Sequence, residues 1–160
     1  MLSKYRNSYY DYISKGYSGL YEEEQLKKLK IMKANVKTNS ILDIGCGSGF
    51  SGKIFSCKII GLDLSFNLLK QAKFSKVLAA AENLPFKDKS FEGIICVTAI
   101  HNFKNYKKAL LEIKRIMRKS GAISVLKRSK KFSKIVRDIK KMFKIVNEID
   151  EEKDRILIVN

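Results

Sequence analysis

The sequence predicts an α/β fold: a doubly wound, mostly parallel sheet closed by a C-terminal antiparallel β-hairpin. Three observations predict it. Short apolar runs alternate with amphipathic segments along most of the chain, the pattern of a parallel sheet with helices on both faces. A glycine cluster, Gly45-Cys46-Gly47-Ser48-Gly49, directly follows the first apolar run, where such sheets meet their ligands. The last two β-like runs, KIVNEI and RILIV, flank a polar turn at Asp150–Asp154 and read as a hairpin, not a crossover.

Leu26, Leu29 and Met32 recur at helical spacing, so residues 21–35 are expected to form a helix. ILDI (41–44) is the first buried strand, and Gly49 to about Phe55 leaves room only for a short helix. KIIGLD (58–63) is the second strand, Ser65 caps a helix through about Lys73, and KVLAAA (76–81) is the third strand. LPFKDKS (84–90) is a loop before the apolar strand FEGIICV (91–97). Asn105 caps a helix whose apolar face is Tyr106, Ala109, Leu110, Ile113, Ile116 and Met117, with Gly121 as its stop. AISVLK (122–127) is the fifth strand. Phe132, Ile135, Val136, Ile139, Met142 and Phe143 mark a last amphipathic helix. The whole chain, 1–160, reads as one domain, with residues 1–38 preceding an α/β core at 39–160.

At 160 residues such a domain can bury a core without staples. Cys46, Cys57 and Cys96 have no CxxC spacing and read as reduced thiols, and with one histidine no metal site is expected. There is no secretion-signal pattern and no apolar run near the roughly 20 residues of a membrane span, so the cytoplasm is the expected compartment. Charge is lopsided: 33 Lys and Arg against 16 Asp and Glu, net +17. Between Lys104 and Lys144 stand 16 basic residues and only Glu112 and Asp138, after which the chain turns acidic. A basic block of this kind attracts polyanions; a lysine-rich solvated surface is the competing reading.

The chemistry concentrates in Asp43-Ile44-Gly45-Cys46-Gly47-Ser48-Gly49. Glycines let the backbone turn tightly and approach a ligand, and Asp63, at the end of the second strand, suits a ribose diol. Gly47 to Gly52 also satisfies GxGxxG, the dinucleotide pattern. Asp43 favours the other ligand class, because a carboxylate there attracts the ammonium of a methionyl group and does nothing for a pyrophosphate.

ILDIGCGSG, GLDLS and AENLPFKDKSFEGIICVTAIHNF together resemble the class I S-adenosylmethionine-dependent methyltransferases, in the subgroup containing the quinone-biosynthesis C-methyltransferases. The resemblance spans about residues 10–127. It implies a Rossmann-like fold with S-adenosylmethionine as cofactor. Gly45, Cys46, Gly47 and Gly49 would wrap its methionyl and ribose part, with Asp43 near the amino group and Asp63 on the ribose hydroxyls. Leu64 would flank the adenine, Ala81 and Glu82 would lie at its edge, and Val97 and Thr98 near the methionyl side. Residues 1–38 would form a helical cover, with Tyr10 and Tyr17 over the cofactor.

The chain departs from the family pattern in three places. Ala80 stands where relatives carry an Asp, the helix after the glycine loop is short, and one helix replaces the usual lid insertion before the hairpin. His101 is the candidate general base or acceptor contact, with Asn102 beside it; a helix-start packing role is the alternative for both. Lys127, Arg128, Lys130 and Lys131 leave the fifth strand at the mouth of the site and make RNA or a ribonucleoprotein the expected acceptor. AIHNF resembles a segment of tRNA wobble-uridine methyltransferases that work with an activator, so an activator subunit completing the open site is expected. A small-molecule or lipid acceptor and a non-catalytic cofactor-binding subunit are the alternatives.

Overall fold

The computed structural model describes residues 18–160. In chain order it contains α1 (Ser18–Asn35), β1 (Ser40–Ile44), a 3-10 turn (Phe50–Lys53), β2 (Lys58–Asp63), α2 (Phe66–Leu69) and β3 (Ser75–Leu78). These are followed by β4 (Phe91–Cys96), a second 3-10 turn (Ile100–Asn102), α3 (Tyr106–Ile116), β5 (Met117–Leu126), α4 (Phe132–Met142), β6 (Ile145–Asp150) and β7 (Asp154–Val159). The seven strands form one sheet in the order β3-β2-β1-β4-β5-β7-β6. All pairings from β3 to β5 are parallel, and β7 pairs antiparallel with both β5 and β6. The order reverses between β1 and β4, so the loops leaving those two strands open a crevice at their carboxyl ends.

Two apolar layers cover the sheet. On one face α3 places Ala109, Leu110, Ile113 and Ile116 against Ile94, Cys96, Ile123 and Leu157, and α4 adds Ile135 and Ile139. The Asn105 side chain caps α3 by accepting from Lys108 N–H at 3.1 Å. Tyr106 donates to Asp138 at 2.7 Å in the buried seam between α3 and α4. On the other face Leu29 and Met32 of α1 pack with Ile41, Ile59, Ile95 and Ile156. Among the described residues no helix is long and apolar enough to cross a membrane, and no cluster could hold a metal ion.

Three boundaries differ from expectation. Helix α3 stops at Ile116, not Gly121, because Met117 is already extended (φ −73°, ψ 132°) and pairs with Phe91. Arg118 and Lys119 then reach across to Glu92, fixing this early start of β5. Gly121 is a strand residue whose added Cβ would lie 3.2 Å from the Ile94 carbonyl, so it serves close packing and does not stop a helix. Helix α2 ends at Leu69 because the chain must fold Ala72 against Gly49 before β3 begins at Ser75. Strand β3 ends at Leu78, after which Ala81 turns into the core.

Candidate functional site

The crevice begins with the turn that leaves β1. Gly45, Gly47 and Gly49 all have positive φ (74°, 52° and 88°), a backbone that L side chains rarely adopt. Their surroundings differ. A Cβ on Gly45 would fall 2.5 Å from Ala99 Cβ, and one on Gly49 2.7 Å from Ala72 Cβ, whereas one on Gly47 would meet nothing within 4 Å. Gly45 and Gly49 are therefore small to let the protein close on itself, while Gly47 faces open space.

Asp63 ties this loop to β2. Its carboxylate accepts Gly47 N–H and Ser65 N–H, each at 2.8 Å, so the side chain is fixed at the mouth with lone pairs still free. Leu64, next along, leaves 58% of its surface exposed, and Leu78, paired with Asp63 across the sheet edge, leaves 56%. Two apolar side chains thus flank the carboxylate without covering each other. Asp43 is buried in β1, and burial pushes its carboxyl up to about 7, with the Ser51 side chain opposing and the Asp63 charge adding a smaller rise. Ser51 Oγ is itself buried and makes no well-formed hydrogen bond. Among the described residues no cation pairs with Asp43. Cys46 is buried in the loop, its thiol held well above the ordinary range by burial, which leaves it unreactive.

On the far wall the LPF loop is clamped from α3. Arg115 donates to the carbonyls of Leu84 and Phe86 and to Asp88, while Glu112 accepts Leu84 N–H. Ala81, expected at the edge of the cofactor, is instead buried in the core beneath this wall. One Glu82 oxygen accepts Asn105 N–H at 2.9 Å, bracing the start of α3 and leaving the other free.

The loop after β4 completes the crevice. Val97 packs on the α1 layer. Thr98 has φ 52°, strain of about 1–3 kcal/mol for a β-branched residue, and is held there by side chains. Its N–H donates to Ser124 Oγ at 2.7 Å and its hydroxyl to Asp154 at 2.9 Å. Lys28, wholly buried on α1, donates to Asp154 at 2.8 Å, to Thr98 Oγ1 at 3.1 Å and to Glu24 at 2.7 Å. Sequence reading missed Lys28, Asp154, Ser124 and the Arg115 clamp. A signal existed for the first: Lys28 shares the buried stripe of α1 with Gln25, Leu29 and Met32.

His101 follows in the second 3-10 turn, half-buried, with Nδ1 unpartnered. Burial holds its imidazole below the usual range; Asp154 opposes this, and Lys131, Lys28 and Arg128 reinforce it, so the ring is neutral near pH 7. Asn102 is exposed beside it. The four basic residues after β5 divide. Lys127 pairs with Asp150 at 2.8 Å, whereas Arg128, Lys130 and Lys131 have no ion-pair partner among the described residues. The acidic hairpin takes up other cations, with Glu148 pairing Lys140 and Arg155. Tyr10 and Tyr17 lie outside the described residues.

Known proteins resemble this chain in sequence and fold. A family model described as "Methyltransferase domain" matches residues 42–125, more than half of the chain. An uncharacterized protein of Methanocaldococcus jannaschii, MJ1252, is 38% identical over 120 residues, covering 71% of this chain and 47% of that one. The demethylmenaquinone methyltransferase of Thermotoga maritima is 26% identical over 129 residues, 73% of this chain and 56% of that one. The chain thus spans about half the length of the curated relatives it matches. A solved Haloferax volcanii methyltransferase in complex with the Trm112 methyltransferase activator superposes with a TM-score of 0.76 at 14% identity, over 96% of this chain and 97% of that chain, a likeness of fold.

Proposed function

Because this chain belongs to the methyltransferase-domain family, we propose that it binds S-adenosylmethionine in the Gly45–Gly49 crevice and methylates an RNA or ribonucleoprotein acceptor. The observation that carries the cofactor reading is the Asp63 carboxylate, fixed by two backbone N–H groups beside open space over Gly47. The residues present fit the cofactor. Asp63 would take the ribose hydroxyls, Leu64 and Leu78 would flank the adenine, and Asp43, a buried carboxyl with no cation beside it among the described residues, would face the ammonium. The cofactor supplies an activated methyl group when bound, which leaves the chain the work of positioning.

On the acceptor side, neutral His101 can accept the proton an attacking group must lose, and Asn102 can orient that group by hydrogen bonding. Arg128, Lys130 and Lys131, with no ion-pair partner among the described residues, give phosphates a place to seat next to His101. An activator subunit would cover this open side; the Haloferax protein of similar fold was solved in complex with such an activator. A second reading, a small quinone-like acceptor, is favoured by the likeness to demethylmenaquinone methyltransferase.

The test is to incubate the protein with methyl-labelled S-adenosylmethionine and a demethylated source-cell extract, then separate RNA, protein and solvent-soluble pools. Nuclease-sensitive label is expected. Label in the solvent-soluble pool would replace the polyanion with the small acceptor, and no transfer to any pool would sink both.

A further inference from the structure

A cation wholly buried among polar groups is rare in a protein interior and must be paired. Lys28 is such a cation, and its position is unusual in another way. It lies on α1, the described element that precedes the family-matched region, yet its partners belong to β7 and to the loop after β4. The network continues outward through Glu24, which accepts from Lys28 and, at 2.6 Å, from Lys153. Its charges alternate, Lys153, Glu24, Lys28 and Asp154, so it is neutral overall and every charge has a neighbour of opposite sign. At its inner end it meets Thr98, and here it does more than satisfy charge. Asp154 and Lys28 grip the Thr98 hydroxyl while Ser124 grips its N–H, and together they hold a left-handed conformation that a threonine would otherwise leave. The next residue, Ala99, is the one whose Cβ occupies the space where a side chain on Gly45 would go. His101 stands two residues further on.

We infer that Lys28 and Asp154 are positioning residues: through Thr98 they set the height of the Ala99–His101 turn against the Gly45 loop, and so the width of the cofactor crevice and the placement of His101. This rests on the cofactor site proposed above. Lys28 does not touch that site and acts through Thr98. Helix α1 is thereby part of the binding apparatus and not only a cover, because its buried ammonium is what the strained loop is fastened to.

Removing one charge alone leaves the other buried and can unfold the chain, so the test uses three gentler variants. Thr98→Val exchanges the hydroxyl for a methyl of similar size, and Thr98→Ser keeps the hydroxyl and loses the methyl. The double variant Lys28→Met/Asp154→Asn removes both charges together. Three readouts apply to each: the unfolding midpoint, S-adenosylhomocysteine affinity by calorimetry, and the imidazole NMR titration of His101, the sole histidine. The groups facing His101 are Asp154 from β7, Lys28 from α1, and Lys131 and Arg128 from the segment before α4. Folded Thr98→Val and the double variant are expected to bind about tenfold more weakly or worse and to move the His101 signal, while Thr98→Ser stays within about twofold of the parent.

Affinity and His101 signal unchanged in folded Thr98→Val would reduce the network to a structural brace and overturn the inference. Asp63→Ala is measured alongside. If it loses binding while Thr98→Val keeps it, the positioning role alone fails. If the parent chain binds no S-adenosylhomocysteine, the cofactor reading fails, and the His101 titration decides the positioning role: a signal moved by Thr98→Val and restored in Thr98→Ser supports it, and an unmoved signal rejects it.

Discussion

The two walls of the crevice are built by different means. The β1–β2 wall is made mostly of backbone: three left-handed glycines, two N–H groups on Asp63, and a buried Asp43. The wall formed after β4 and β5 is made of side chains brought from far apart in sequence, with Lys28, Thr98, Ser124 and Asp154 inside and, at the rim, cations that pair with no acid among the described residues. Backbone sites recognise what is constant in a ligand; side-chain sites can be changed without refolding the scaffold. The first wall therefore suits a cofactor shared by many relatives, and the second an acceptor particular to this protein.

The sharpest way to break the first wall is to add one methyl group. Gly45→Ala puts a Cβ 2.5 Å from Ala99 on a backbone already at φ 74°, and should cost about 2–5 kcal/mol of stability. Gly47→Ala meets no protein atom, so its stability loss should stop at the left-handed term, about 1–2 kcal/mol, while its methyl enters the ligand space and S-adenosylhomocysteine binding falls. Denaturation and calorimetry on both variants separate the roles. Equal stability losses would show that the two glycines are not divided between packing and ligand.

This division explains what the sequence disclosed. Glycine spacing after an apolar strand is a local signal, because glycine adopts φ values of 52–88° without the strain that a side chain brings there; Asp43, Asp63 and the sheet could be read for the same kind of reason. The Lys28 network could not be read as a whole: Lys28 falls on the buried stripe of α1, but bonded members of the network stand up to 129 positions apart, and no local pattern joins them. The missed end of α3 has a similar cause. Met117 fits the helical apolar stripe, but pairing with Phe91 across the sheet outweighs helix propensity.

Asp43 offers a pH test of the same wall. Its carboxyl is raised to about 7 in the folded chain, against about 4 when unfolded. Below pH 4 both states hold the proton and above 7 neither does. Between these values only the folded chain holds it, so stability should fall as pH rises, by up to about 1.4 kcal/mol per unit. Asp43→Asn should flatten that slope and be the more stable protein at pH 8. A variant slope as steep as the parent's would assign the pH dependence elsewhere. A cofactor ammonium favours the ionised carboxylate, so S-adenosylhomocysteine affinity in the parent should rise with pH up to about 7.

Asp63→Ala should weaken S-adenosylhomocysteine binding by about 1.5–3 kcal/mol, the value of hydrogen bonds to a charged group. It also frees the N–H groups of Gly47 and Ser65, so affinity must be compared under conditions where unfolding shows both proteins folded. Unchanged affinity in the folded variant would remove Asp63 from the site.

The smallest effect is expected at the rim, and it bears on the acceptor. Of the four basic residues after β5, Lys127 is already tied to Asp150, so Lys127→Ser should leave the salt dependence of RNA binding close to the parent's. Arg128, Lys130 and Lys131 have no such ties among the described residues. Each phosphate contact they lose should lower the slope of log affinity against log salt by about 0.7 for a single strand, or about 2 for the triple serine variant. The contrast between single and triple variants matters more than either value, because removing any surface charge weakens polyanion binding somewhat, whereas a division that follows the internal ion pairs points to this particular surface. A triple variant with the parent's slope would make the block a solvated face and shift the acceptor to a small molecule, leaving the backbone wall and its cofactor reading intact.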